Sequence, residues 1–262
     1  MSATVQSIEL GRGLQPNPVL VSGEGSPLVY LHGLTGQRWD GFQEALSRKH
    51  KLYAPANAGA DEPDELQTFD TVHDLVIYYD DLFRSLGLEK FDLVGHSFGG
   101  MMAAEYAAAY PERVRRLVLI DPLGLWRDDA PAANFTYLTP EDQTRMFLGD
   151  PESEDVKAYM ALPEAQPAKN TEIVRRITGM ASILHFIWPI PERGLARRLY
   201  RVKAETLVVW GDDDPLISAS YAEDFAAGIQ GARVARIAGA GHMPQFSQSA
   251  KVLDNVLTFL GH

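Results

Sequence analysis

Residues 91 to 110 read FDLVGHSFGGMMAAEYAAAY, and the predicted architecture extends outward from this stretch. Phe91 to Val94 is a short apolar run typical of a buried strand, and Phe98 to Tyr110 has helical spacing. A G-x-S-x-G pattern centred on Ser97 joins the two. Glycines on both sides of a serine leave room for a sharp turn. We therefore predict a strand, a strained turn that projects the Ser97 hydroxyl into solvent, and a helix.

The same succession of strand and helix recurs along the chain. Val72 to Leu86 has helical spacing, and further apolar runs bounded by glycine, proline, asparagine or aspartate predict strands. Strands that alternate with helices favour a largely parallel sheet with helices on its faces. We therefore predict an α/β fold with a mostly parallel, doubly wound sheet. The further predicted strands are Pro27 to Leu31, Leu52 to Pro55, Leu117 to Ile120, Thr206 to Trp210 and Arg233 to Ile237.

The bulk composition is that of an ordinary globular protein. The chain has 262 residues, of which 45% are hydrophobic and 23% charged, so it can bury a full core. Its formal net charge is −11, which provides no basic surface for nucleic acid or anionic lipid. The sequence contains no cysteine, which excludes disulfides, thiolate catalysis and zinc–thiolate sites. We expect no nucleic-acid partner.

The sequence contains no signal for export or membrane insertion. The first twenty residues lack a basic start and an unbroken apolar stretch. No segment approaches the roughly 18 consecutive apolar residues that a membrane span needs. We therefore expect a cytoplasmic protein without a membrane partner.

The alternation of strand and helix is interrupted over residues 122–203. No strand pattern occurs there, and repeated prolines separate several helix-compatible segments. The predicted strand before this stretch ends next to Asp121. We therefore predict a core domain of residues 1–121 and 204–262 with an inserted helical domain between its two parts.

The sequence Leu31-His32-Gly33-Leu34 ends another predicted strand. Cleavage of an acyl bond places negative charge on the carbonyl oxygen, and two convergent backbone N–H groups stabilise that charge without a cation. We predict that the N–H groups of Leu34 and Phe98 form this oxyanion hole, aided by the partial positive charge of the helix N-terminus at Phe98. On its own, the His-Gly pair is equally typical of a turn at a strand end.

An acidic turn, WGDDD at residues 210–214, and a loop containing Gly241 and His242 also follow predicted strands. Ser97, Asp214 and His242 thus each come just after a strand, so one edge of a parallel sheet can bring them together. A serine hydroxyl is a poor nucleophile unless an imidazole accepts its proton, and a carboxylate fixes the tautomer of that imidazole. We predict that Ser97 is the nucleophile, His242 the general base and Asp214 the orienting acid. The alternatives are helix caps for the serine and the acids and a surface position for the histidine.

Together these motifs resemble those of the α/β-hydrolase superfamily, in the group with a helical cap inserted after the sixth strand. The resemblance covers nearly the whole chain and implies that residues 122–203 form the cap. It also implies that the acid is Asp214, three residues after the glycine of the W-G-x-x-D turn, with Asp121 at the alternative position that some relatives use. The motifs that support the resemblance are His32-Gly33, GHSFGG at 95–100, YPERV at 110–114, WGDDD at 210–214 and Gly241-His242.

Two departures narrow the chemistry that the resemblance implies. Relatives that open epoxides or remove halide from carbon generally use an aspartate where this chain has Ser97, which argues against both reactions. Relatives that cleave carbon–carbon bonds of ring-fission products usually have a Gly-Pro-Gly loop after the His-Gly pair. Residues 34–39 read LTGQRW instead, which weakens that interpretation without excluding it.

We therefore predict a serine hydrolase that cleaves carboxylic esters through an acyl-enzyme, with water as second substrate and no metal or organic cofactor. The alternatives are a hydrolase of carbon–carbon bonds in diketone-type substrates and a ligand receptor of the same fold that turns over slowly. Aromatic residues of the cap predict a small-molecule substrate with an apolar portion, although each of them can instead belong to the core of the cap. The predicted substrate-binding residues are Trp126, Phe186, Trp188 and Met243.

Overall fold

One sheet of eight strands lies at the centre of the computed structural model, which describes residues 2–11, 13–60 and 62–261. Within these residues the strands are β1 (Thr4–Ile8), β2 (Asn17–Ser22), β3 (Pro27–Leu31), β4 (Lys51–Ala54), β5 (Phe91–His96), β6 (Val114–Ile120), β7 (Glu205–Gly211) and β8 (Arg233–Ile237). Across the sheet they lie in the order β1-β2-β4-β3-β5-β6-β7-β8.

Parallel pairing brings the carboxyl ends of the central strands to one edge of the sheet. All neighbours from β4 to β8 across the sheet pair in parallel, whereas β1 and β2 pair antiparallel at the far side. The registers place Gly95 opposite Leu31 and His96 opposite Ile120. The segments that follow β3, β5 and β6 therefore leave the sheet at the same level, and the predicted mostly parallel sheet is confirmed.

The sequence predicts six of these strands and misses β1 and β2. β1 is exposed at the edge of the sheet, and its sequence TVQSI contains no continuous apolar run. β2 alternates between buried and half-buried residues and begins with Asn17 and Pro18. Because both strands pair antiparallel, neither has the continuous apolar pattern by which buried parallel strands are identified.

Helices cover both faces of the sheet. On one face α1 and α9 enclose a core that includes Phe42, Leu46, Val252 and Val256, and on the other face α2, α3 and α7 enclose a larger core. This arrangement confirms the doubly wound fold. The helices in the described residues are α1 (Gly41–Ser47), α2 (Val72–Ser85), α3 (Phe98–Ala109), α4 (Pro140–Leu148), α5 (Glu154–Met160), α6 (Gln166–Ile187), α7 (Tyr221–Gly228), α8 (Pro244–Ser247) and α9 (Ser249–Leu260). None of these helices is both long enough and apolar enough to cross a membrane.

Helix α3 is apolar on all sides because the sheet and its neighbours enclose it completely. Its one charged residue, Glu105, is buried and accepts two hydrogen bonds from Arg198, at 2.8 and 2.5 Å. A buried carboxylate requires such a partner. This bidentate pair therefore fixes α3 to the segment that precedes β7.

Residues 122–203 lie between β6 and β7 and contain α4, α5 and α6, with no strand among them. Hydrogen bonds hold this inserted segment against the loops that follow β3 and β4. Tyr159 Oη donates to Thr35 Oγ1 at 3.2 Å, and Thr178 Oγ1 donates to the Ala60 carbonyl at 2.6 Å. The inserted segment thus lies over the edge of the sheet where the parallel strands end.

The turn from β5 into α3 leaves no space for a side chain at its two glycines. A Cβ atom on Gly95 would collide with the carbonyl of Gly99, and one on Gly99 would collide with the carbonyl of Leu31 in β3. The backbone of the turn is therefore in direct contact with the neighbouring strand. Gly179 in α6 differs, because a Cβ atom there would have no atom within 4 Å.

Two buried histidines hold the loops at the carboxyl ends of the strands. The hydrogen-bond network assigns His32 Nδ1–H as a donor to the Gly33 carbonyl at 2.9 Å, while Nε2 accepts from the Asn57 N–H at 3.2 Å. His96 Nε2–H donates to the carbonyl of His242 at 2.8 Å. Burial lowers the pKa of His32 to about 4 and that of His96 to about 3, so both rings are neutral at physiological pH.

We expect Gly99→Ala to lower the free energy of unfolding by about 1 to 3 kcal/mol, because the added methyl group has to displace the backbone of β3. The matched change Gly179→Ala should raise it by about 0.5 to 1 kcal/mol, because α6 has room for the methyl group and alanine favours a helix. Urea unfolding of both variants measures the two values. Equal stability of the two variants would contradict the close contact at the turn.

We expect the destabilisation caused by His32→Gln to shrink as the pH falls. The unfolded chain protonates this histidine at its ordinary pKa of 6.5, whereas the folded protein resists protonation down to about 4. As the pH falls from 6.5 to about 4, the neutral histidine therefore lowers the free energy of unfolding, and a glutamine has no such effect. Urea unfolding at pH 7 and pH 5 should give a deficit that is about 1 to 2 kcal/mol smaller at pH 5. His73→Gln, on the exposed side of α2, controls for the loss of a histidine. If the loss of unfolding free energy caused by His32→Gln were the same at both pH values, His32 would not be a buried, neutral ring.

Candidate active site

Ser97 lies in the turn between β5 and α3 with φ at 56° and ψ at −119°. A positive φ is strained for a residue with a side chain, and the strained strand-to-helix turn is the one that the G-x-S-x-G pattern predicts. The side chain makes no capping hydrogen bond to α3. The alternative of a serine that only caps the helix is therefore wrong.

The hydroxyl of Ser97 does not face solvent, which corrects the expectation from the sequence. Ser97 is completely buried because the inserted segment covers the carboxyl ends of the strands. The ring of Phe186 stacks on that of Phe98, with centroids 6.4 Å apart, and the ring of Phe147 lies 6.3 Å from that of His242. A tight turn exposes a hydroxyl only when no distant part of the chain packs over it.

His242 lies in the loop after β8 and contacts both other members of the predicted triad. Its Nε2 is 2.8 Å from Ser97 Oγ, and its Nδ1 is 2.8 Å from Asp214 Oδ2. All three side chains are buried. With Nδ1–H donating to the carboxylate, the lone pair of Nε2 can accept the proton of the serine hydroxyl.

Asp214 follows β7 and has three hydrogen-bond donors. Its Oδ1 accepts from the N–H groups of Leu216 and Ile217 at 2.8 and 3.0 Å, which leaves Oδ2 for His242. The neighbouring Asp212 instead pairs with Arg236 at 2.7 Å. The turn thereby holds the Asp214 carboxylate in a fixed orientation toward the imidazole.

Asp121, the alternative acid, lies beside Asp214 but makes no hydrogen bond to the imidazole of His242. It ends β6 with φ at 42°, and its Oδ1 accepts from the Gly211 N–H at 2.9 Å. Its Oδ2 is buried and receives no hydrogen bond from the residues that the structure describes, and the neutral carboxyl can donate to the neighbouring Asp214. Burial, followed by the charge of Asp214, raises the pKa of Asp121 well above its ordinary value, so its neutral form is favoured.

The N–H groups of Leu34 and Phe98 are available to a ligand, since no described residue accepts a hydrogen bond from either. The backbone before Leu34 touches the serine, because a Cβ atom on Gly33 would lie 2.7 Å from Ser97 Cβ. Phe98 directly follows the serine at the N-terminus of α3. Both donors therefore flank Ser97, as an oxyanion hole requires.

Two pockets lie between the inserted segment and the rest of the fold, and neither is lined by Ser97, Asp214 or His242. The first, of about 260 Å³, adjoins Leu34 and Phe147 and is here called the arginine pocket. The second, of about 190 Å³, lies between the inserted segment and the start of the loop after β7 and is here called the tryptophan pocket. The arginine pocket is lined by Leu34, Thr35, Arg38, Pro140, Gln143, Thr144, Phe147, Leu148, Tyr159, Met160, Arg176, Ile177 and Met180. The tryptophan pocket is lined by Leu123, Trp126, Ala132, Ala133, Asn134, Phe135, Thr136, Leu184, Ile187, Trp188, Pro189, Pro191 and Leu216.

The four predicted substrate-binding residues do not lie together in the structure. Trp126 and Trp188 line the tryptophan pocket, and Trp188 is 47% exposed. Phe186 is buried against Phe98 and Phe69, and Met243 is buried next to His242.

The sequence did not single out Arg38 of the arginine pocket, and it indicated Tyr159 only as one of the cap residues of which some should roof the pocket. The signal for Arg38 is its position four residues after Leu34, within the loop that leads away from the oxyanion donor. Tyr159 gives no such signal, because its contact with Arg38 joins residues 121 positions apart. Among the described residues, no group of three or more His, Asp or Glu side chains is arranged to hold a metal ion.

A comparison with known protein families gives a match over most of this chain. The profile described as alpha/beta hydrolase fold matches residues 26–249. A 2-hydroxy-6-oxo-6-phenylhexa-2,4-dienoate hydrolase of Comamonas testosteroni is 28% identical over 192 residues, which cover 68% of this chain and 65% of that protein.

Solved structures share the fold at low sequence identity. A serine hydrolase involved in carbazole degradation superposes with a TM-score of 0.74 at 20% identity and covers 99% of both chains. The carboxylesterase CesB of Bacillus subtilis superposes with a TM-score of 0.71 at 20% identity, covering 100% of this chain and 92% of that chain. Because the family profile spans far more than half of the sequence, the chain belongs to the alpha/beta hydrolase fold family.

Proposed function

We propose that this protein is a serine hydrolase that cleaves carboxylic esters through an acyl-enzyme intermediate. The observation that supports this best is the continuous pair of hydrogen bonds from Ser97 Oγ through the imidazole of His242 to Asp214, each 2.8 Å long. The strained backbone of Ser97 adds to this support, because it is the conformation of a nucleophile on a strand-to-helix turn.

The proposed reaction follows from the positions of these groups. His242 Nε2 accepts the hydroxyl proton as Ser97 Oγ attacks the ester carbonyl, and the N–H groups of Leu34 and Phe98 donate to the developing oxyanion. The imidazolium then gives its proton to the leaving alcohol. A water molecule, activated by the same imidazole, hydrolyses the acyl-enzyme and restores the serine. These steps use no metal and no organic cofactor.

We further propose that residues 122–203 act as a cap that sets substrate choice, over a core of residues 1–121 and 204–262. The two pockets beneath the cap are lined largely by apolar side chains, which supports a small-molecule substrate with an apolar portion. Trp126 and Trp188 would contact that portion from the tryptophan pocket. Phe186 and Met243 would shape the site through the positions of Phe98 and His242.

The second candidate is hydrolysis of a carbon–carbon bond in a diketone-type substrate, which the printed activity of the Comamonas relative favours. That reaction requires protonation of a carbon and recognition of a polar diketone in addition to the triad. The sequence LTGQRW at residues 34–39 lacks the Gly-Pro-Gly loop usual in such enzymes. Ester cleavage needs only the triad and two N–H donors, so we place it first.

We expect multiple turnovers on p-nitrophenyl esters of short to medium acyl chains and negligible cleavage of a vinylogous diketone under the same conditions. Ser97→Ala should reduce ester turnover to background, because no other hydroxyl is paired with the imidazole. Release of p-nitrophenol measures the first reaction, and loss of diketone absorbance measures the second. Efficient diketone cleavage with negligible ester turnover would favour the second candidate, and failure on both would favour a receptor.

We expect Asp214→Asn to lower kcat by about 10³- to 10⁴-fold, because the amide can no longer hold the tautomer that donates from Nδ1. The matched change Asp121→Asn should cost less than about tenfold, because its amide oxygen can still accept from the Gly211 N–H. Steady-state kinetics of both variants on one aryl ester gives the comparison. A larger loss of kcat in Asp121→Asn would indicate instead that Asp121, which directly follows β6, orients the imidazole.

A further inference from the structure

Arg38 and Arg176 are the two charged residues that line the arginine pocket. No acidic side chain lines this pocket. One end of the pocket meets Leu34, whose N–H we assign to the oxyanion hole, and Arg38 follows four residues later in the same loop. A ligand in this pocket would therefore have its reacting carbonyl near Leu34 and another part of its structure near a cation.

The two arginines differ in how the protein satisfies them. Arg176 pairs with Glu172 at 2.6 Å and donates to the carbonyls of Met160 and Ala161. Each of its three guanidinium nitrogens therefore has an acceptor within the fold, and Glu172 is shared with Arg175. Arg176 contributes to the wall of the pocket rather than to ligand recognition.

Arg38 forms no salt bridge with a carboxylate among the described residues. Its charge acts on the nearby Asp40, whose carboxylate accepts from the N–H groups of Phe42 and Gln43 at the start of α1. The guanidinium of Arg38 lies over the ring of Tyr159, 3.9 Å from the centroid, and Nη1 donates to the Tyr159 carbonyl at 2.8 Å. Nε is buried without an acceptor, while the guanidinium also interacts with the hydroxyl of Tyr159 and with the charge of Asp40. A half-buried cation with an unpaired donor is costly, and it is unexpected in a chain with a net charge of −11.

Other arginines of this chain show what the Nε–Nη2 edge binds when an acid is present. The Nε and Nη2 atoms donate together to one carboxylate in four pairs, at distances of 2.5 to 3.0 Å, and this is the fork geometry that matches the two oxygens of a carboxylate. The pairs are Arg115 with Asp92, Arg127 with Asp129, Arg175 with Glu172 and Arg198 with Glu105. Arg38 is held by the stacking and the bond from Nη1, and no carboxylate of the described residues forms such a pair with it.

We propose that the arginine pocket binds esters that contain a second, ionised carboxylate, and that the guanidinium of Arg38 is its receptor. The proposal rests on the proposed ester hydrolase and names its substrate class. A half-ester of a dicarboxylic acid has the required form, with an apolar chain between the ester and the free carboxylate. The chain would lie along the apolar wall formed by Phe147, Ile177 and Met180, and the carboxylate would reach Arg38.

The test compares two substrates of equal chain length, mono-p-nitrophenyl adipate and p-nitrophenyl hexanoate. For Arg38→Met we expect the ratio of kcat/KM for adipate to kcat/KM for hexanoate to fall about tenfold to a hundredfold below the wild-type ratio, mainly through KM. Arg38→Lys should recover part of the ratio, because it restores the charge without the fork. Arg145→Met, which removes an exposed charge from α4 outside the pocket, should leave the ratio unchanged.

Binding separates this proposal from the proposed activity. Calorimetry on Ser97→Ala should show monomethyl adipate binding about tenfold or more tighter than dimethyl adipate, and the difference should disappear in Ser97→Ala with Arg38→Met. If no ester is turned over but this preference in binding persists, the proposed function fails and the carboxylate site stands. Equal affinity for the two adipates, or an unchanged ratio in Arg38→Met with ester turnover intact, would overturn the proposal.

Discussion

The buried hydrogen bond between His242 and Asp214 is the interaction around which the rest of the structure has to be arranged. An ionised carboxylate inside a protein is unfavourable unless several donors surround it, and Asp214 receives donors from the imidazole and from two backbone N–H groups. The turn after β7 supplies the backbone donors. The loop after β8 has to bring the imidazole to the same point, and the carbonyl of His242 is in turn held by His96.

The same requirement explains why the pKa of Asp121 is raised. Two carboxylates that lie side by side in a buried site cannot both be ionised without a large cost. Asp214 has three donors and Asp121 has one, and burial, followed by the charge of Asp214, raises the pKa of Asp121. Asp121 and Asp214 therefore lie side by side in the segments after β6 and β7, and the two carboxyl groups differ in the number of donors that surround them.

Much of this arrangement could be predicted from short stretches of sequence because it depends on short stretches of chain. The glycines around Ser97 and the apolar runs before it predict β5, the strained turn and α3, since each feature is fixed within a few residues. The order of strands then implies that Ser97, Asp214 and His242 lie at one edge. β1 was missed because an exposed antiparallel strand does not need an apolar run.

What the sequence could not provide depends on contacts between distant residues. The burial of Ser97 follows from the packing of Phe186 on Phe98, and the setting of Arg38 follows from Tyr159, far along the chain. No local pattern encodes which face of α6 lies over α3 or which loop contacts α5. The expectation of an exposed serine was therefore wrong for a physical reason: the turn fixes the direction of the hydroxyl, and the inserted segment fixes its exposure.

The cover over Ser97 also has a consequence for chemistry. Electrostatic interactions weaken in water and strengthen where water is excluded, so the hydrogen bonds of His242 and the free N–H groups of Leu34 and Phe98 act more strongly beneath the inserted segment than they would in an open cleft. Phe186 in α6 stacks on Phe98, the residue that directly follows Ser97, so the packing of α6 also determines how completely the serine is covered.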